Sequence, residues 1–97
     1  MRAKDLITAV ETVDKPIFTN ETERCLYLAG IGKWDEAHAF VEKLPEPGAS
    51  WIHAMLHREE GDKENARYWY LKADKRIPKS TVSFMDEWKS IVKDLLT

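Results

Sequence analysis

Gly61-Asp62-Lys63-Glu64-Asn65-Ala66-Arg67-Tyr68-Trp69-Tyr70-Leu71-Lys72-Ala73 is the stretch on which the fold turns. Gly61 ends one helix, because a residue without Cβ tolerates the left-handed backbone that follows a helix C-terminus. Asp62 is placed to cap the next helix. Ala66, Trp69, Tyr70 and Ala73 share its inner side until Lys75-Arg76-Ile77-Pro78 breaks it, since proline lacks the N–H that would continue the ladder. Upstream, Ser50 is the expected N-cap of a helix carrying Trp51, Ala54, Met55 and Leu56 as far as Glu60. Residues 50–73 therefore read as an antiparallel helix hairpin.

Sliding the chain by 29 residues places Gly32 on Gly61, Ala37 on Ala66, Lys43 on Lys72, Asp35 on Glu64, Phe40 on Trp69 and Leu26 on Met55. A second hairpin is expected over 20–44. Asn20 with Glu23 opens its first helix, and both Gly30 and Gly32 read as left-handed closers. Trp34, Ala37, Phe40, Val41 and Leu44 mark the second helix, which Pro45-Glu46-Pro47-Gly48 ends. Flanking helices follow from Leu6, Ile7, Val10 and Val13 in Lys4–Val13, and from Phe84, Trp88, Ile91, Val92 and Leu95 behind a Ser83 cap. Apolar and polar residues never alternate for long enough to make a strand. The expectation is an all-α single domain over 1–97, of about six short helices.

With Ala54, Gly61-Asp62, Ala66, Tyr70, Ala73 and Pro78 in order, the second hairpin resembles a tetratricopeptide repeat, and the run Ala66 to Ala73 is similar to the Sel1-like variant with its Trp-Tyr-x-Lys-Ala string. Cys25, Leu28, Gly32, Ala37 and Leu44 carry the resemblance in the first hairpin. It implies a non-enzymatic module that presents a helical groove to a protein or peptide. Mapped by position, that groove contains Thr22, Leu26 and Ala29, then Trp51, Met55, Arg58 and Glu59. The plain expectation for this turn is that Asp62 and Asn65 cap, Trp69 and Tyr70 pack and the charges solvate a face; the sharper one is that Arg58 with a neighbouring aromatic receives a carboxylate or phosphate, which a guanidinium fits as a planar fork. The chain departs from the pattern in its 29-residue spacing and in the polar Arg24, His53 and His57 at positions that the repeat fills with apolar groups.

Composition narrows the rest. A net charge of -2 gives no overall field towards nucleic acid, although six basic residues between Lys63 and Lys79 outnumber Glu64 and Asp74. Cations near a helix C-terminus complement its dipole, so nucleic acid is not the expected partner. No apolar run reaches the length of a membrane span, and the first residues lack a signal peptide's apolar stretch, so the expected location is the cytoplasm. Unused apolar side chains on the first or last helix leave room for a homodimer.

Two constellations could carry chemistry. His53 and His57 stand i, i+4 on one helix face, a spacing used by metal sites. The metalloprotease motif would need Glu where Ala54 stands, and the only third ligands in view are Cys25 and Glu60. The reading is therefore structural histidines with no metal and no cofactor. The alternative is a small enzyme or metal-binding protein centred on His53 and His57, with Tyr68 or Glu60 as acid and base. The second constellation is the polar and aromatic cluster His53, His57, Glu60, Asn65, Tyr68 and Trp69, with Arg58, Glu59, Arg67 and Tyr70 around the same turn. No nucleophile sits in a recognised setting, so no catalytic residue is assigned.

Overall fold

In the computed structural model, which describes residues 1–96, six helices follow in order: α1 (Ala3–Thr12), α2 (Glu21–Gly30), α3 (Trp34–Val41), α4 (Gly48–Glu59), α5 (Lys63–Ala73) and α6 (Phe84–Leu96). No strand occurs among the described residues, and none of these helices is long and apolar enough to cross a membrane. Several starts are capped as the residue types demand. The Asn20 side chain accepts from the Glu23 N–H, Asp62 from the Asn65 N–H and Ser83 Oγ from the Asp86 N–H. Glu23 turns its carboxylate to the Thr19 N–H and hydroxyl, one residue ahead of the cap.

Two expected helix ends differ. Ser50 is not an N-cap: α4 begins at Gly48, and Glu46 accepts from both the N–H and the hydroxyl of Ser50 inside the first turn. A carboxylate there satisfies orphan donors and complements the helix dipole, which a Ser cap would have done less strongly. Gly30 is not a left-handed closer either. It lies in α2, and a Cβ on it would come within 2.7 Å of the Trp88 ring and 2.9 Å of Val10. It is a glycine for close approach.

Gly32 (φ +86°) and Gly61 (φ +87°) are left-handed, as are Val13 and Asp74 at the ends of α1 and α5, and the two glycine turns share their two closing backbone bonds. Gly32 N–H bonds Ala29 O as Gly61 N–H bonds Arg58 O, and Lys33 N–H bonds Leu28 O as Asp62 N–H bonds His57 O. Each turn folds two helices into an antiparallel hairpin. Cys25 and Arg24 on α2 meet Ala37 and Phe40 on α3, while Trp51 at the start of α4 lies under Lys75 just beyond α5.

Leu6, Leu26, Ile52, Met55, Leu56, Trp88, Ile91 and Val92 form the main core, drawn from α1, α2, α4 and α6. Removing that apolar surface from water is the dominant favourable contribution to folding. A smaller cluster of Ala54, Ala66 and Tyr70 joins α4 to α5, where two alanines let the backbones approach. Helix α6 ties both hairpins together. Trp88 Nε1–H donates to Leu26 O at 2.8 Å, and Glu87 accepts from Arg58 at 2.9 Å and from the Tyr70 hydroxyl.

Candidate metal centre

All three histidines of the chain meet at the junction of α3 and α4. His53 and His57, one turn apart on α4, stack with ring centroids 4.9 Å apart, and His38 comes edge-on from α3 at 4.9 Å from His53 and 5.3 Å from His57. The Nε2 atoms of His38 and His53 are 3.1 Å apart, so one ring donates to the other's lone pair. One nitrogen from each of the three rings falls within 4.8 Å of the other two.

The neighbours hold these rings in place. Trp34, at the start of α3, donates its Nε1–H to Leu56 O at 2.6 Å and stacks on His38 at 4.8 Å and 7°. On the far flank Trp69 of α5 stacks on His53 at 3.9 Å and 14°. His57 Nδ1–H donates to Glu60 Oε2 at 2.6 Å, so Nε2 is the ring nitrogen that remains for another partner. His53 and His57 are buried and His38 is half-buried. Burial, followed by the proximity of His57, His38 and Lys72, pushes the His53 imidazole down to about 4, so that it carries a free lone pair at neutral pH. A neutral imidazole is the form that ligates metals.

The i, i+4 spacing pairs His53 with His57 and carries no sign of His38. Its own signal is weak: α3 places His38 one turn beyond Trp34, at the edge of the inner face, and only the packing of α3 on α4 brings it in. Of the two third ligands considered from sequence, neither completes the trio. The Cys25 thiol is buried, donates to Ala37 O, and is pushed by burial and then by Glu21 up to about 12, so it stays protonated. Glu60 is engaged with His57 Nδ1.

The expected groove does not assemble as a free surface. Leu26 and Met55 are fully buried in the main core and Ala29 is buried beside them, because the first helices of the two hairpins face α1 and α6 instead of solvent. Thr22 is half-buried. Trp51 is half-buried beneath the Lys75 ammonium, 4.1 Å from its ring. Arg58 is no free anion receptor either. Its guanidinium donates to Glu87 at 2.9 Å, to Val82 O at 2.5 Å and to Lys79 O at 3.2 Å, pinning the segment before α6. Glu59 is exposed and borders a separate cleft with Val10, Val13, Trp34 and Phe84.

The polar cluster likewise divides. His53, His57, Glu60 and Trp69 gather at the histidine trio, whereas Arg58 and Tyr70 turn towards Glu87. Asn65 bonds back to Asp62 as part of the α5 cap. Tyr68 is exposed and stands edge-on to Trp69 at 5.0 Å. Comparison of the chain with protein-family models, with curated proteins and with solved structures finds no match, so the site rests on its own geometry.

Proposed function

We propose that this chain binds a divalent transition-metal ion of the zinc class through His38, His53 and His57. The observation that carries the reading is the convergence of three imidazoles from two helices, with two of their nitrogens 3.1 Å apart and all three within 4.8 Å. Two imidazole nitrogens bound tetrahedrally at about 2.0–2.1 Å stand about 3.3 Å apart, so small ring rotations close the trio around an ion. The Glu60 carboxylate on His57 Nδ1 supports it too, because metal-bound imidazoles are commonly oriented by such a second bond.

Chain purified without a polyhistidine tag should carry, or take up after chelation, one zinc ion per chain. His38→Ala, His53→Ala and His57→Ala should each weaken uptake by about tenfold or more. Uptake unaffected by His38→Ala would sink the reading, since that ligand joins two helices.

A peptide-binding module is the second reading, moved from the buried groove to the outer side of α5. Its support is that Tyr68 and Leu71 are 57% and 70% exposed there, beside Lys63, Arg67 and Lys72. The matched turns at Gly32 and Gly61 favour two diverged copies of a tetratricopeptide-like unit. A surface of large apolar side chains among cations suits an acidic peptide with apolar side chains. Titration with a Glu/Leu-rich peptide that gives no salt-sensitive binding removes this reading.

A further inference from the structure

Three imidazoles make the centre, while Glu60 and Asp62 group separately with His57 alone. Among the described residues no fourth His, Cys, Asp or Glu joins the group whose donor atoms lie within 4.8 Å of one another. Cys25 is held against Ala37 O, and the Glu60 carboxylate is turned to His57 Nδ1. Two donors come from successive turns of α4 and the third from α3 alongside, so they share one side of any ion they hold. Zinc-class ions take at least four ligands, and centres with three protein ligands keep the remaining position for an exchangeable one.

The approach to this position has a cation and aromatic walls. His38 is the half-buried member of the trio, flanked by the half-buried Trp34, and Trp69 closes the other flank against His53. The Lys72 ammonium lies 5.0 Å from the centre of that Trp69 ring. Among the described residues no carboxylate pairs with it. A lone cation packed on Trp69, the ring that stacks on His53, raises the local concentration of anions around the centre.

We infer that the histidine centre keeps an open coordination position and takes there a small monoanion of the carboxylate class, with Lys72 as the accompanying cation and Trp34 and Trp69 as the walls. This rests on the metal reading above. The centre is then a receptor for an exchangeable ligand, distinct from a closed structural metal clip.

Cobalt(II) separates the two ideas, because its visible absorption reports coordination geometry. Metal-stripped chain titrated with cobalt(II) chloride should develop saturable visible bands, lost in His38→Ala. Sodium azide added to the loaded chain should then shift those bands saturably, and acetate should compete with it. Lys72→Gln should weaken azide about two- to fivefold, the effect of one exposed charge, with the cobalt bands confirming that the centre is loaded. Bands that form but ignore azide, or that respond only in Glu60→Gln, overturn the open position while leaving the metal reading standing. Absence of any cobalt band overturns both.

Discussion

Helix α6 holds the two hairpins by different chemistry. Towards α2–α3 it turns Trp88, a fully buried indole against Gly30 and Val10 with one hydrogen bond to Leu26 O. Towards α4–α5 its neighbour Glu87 ends in a buried carboxylate shared by Arg58 and Tyr70. The first contact draws on apolar area, which is favourable and non-directional. The second is directional and must offset the desolvation of two charges, so it fixes register more than it adds stability. The second hairpin carries the Arg58–Glu87–Tyr70 contact with α6 and supplies two of the three histidines, while His38 reaches them from α3 of the first.

The harshest way to break this contrast is Trp88→Ala. Loss of a buried indole should destabilise the chain by about 3–5 kcal/mol in urea denaturation, with α1–α3 losing amide protection along with α6. Acid should strike the other hairpin. His53 is neutral when folded because its pKa is lowered to about 4 from an ordinary 6.5, so between those values the unfolded chain binds more protons and stability falls as pH falls. The loss between pH 7 and pH 4 in chelator-treated chain is at most about 3 kcal/mol, and His53→Phe should flatten that part of the stability profile. A slope unchanged by that substitution would place the titration elsewhere.

Glu87→Ala comes next, at about 2–3 kcal/mol, because it strands the Arg58 guanidinium. A double-mutant cycle with Arg58→Ala should show strong coupling, whereas one pairing Arg58→Ala with Trp88→Phe should show little. The smallest effect tests where the hairpins agree. Added Cβ atoms at Gly32 and Gly61 meet nothing within 4 Å, so Gly32→Ala and Gly61→Ala should each cost only the left-handed backbone penalty, about 1 kcal/mol. Unequal thermal shifts would mean that the turns differ in more than their sequence.

Much of the fold was legible. Six helices, the Asn20, Asp62 and Ser83 caps, and the turns at Gly32 and Gly61 follow from rules that act within a few residues. The groove was not legible, since helix periodicity marks an apolar face without saying what covers it. Leu26 and Met55 look alike whether they face a peptide or α6. Arg58 misled for a related reason: its acceptors, Glu87, Val82 and Lys79, lie more than 20 residues away in the chain.

Local sequence therefore determined the helices, their turns and the i, i+4 placement of His53 and His57, because helix geometry repeats every few residues and needs no distant partner. The packing of α3 on α4 decided that His38 joins them, that Trp34 and Trp69 flank the three rings, and that the Arg58 guanidinium is taken inside the protein. Those outcomes depend on side chains far apart in sequence sharing one buried space, and burial and distance set whether an imidazole is a core residue or a ligand.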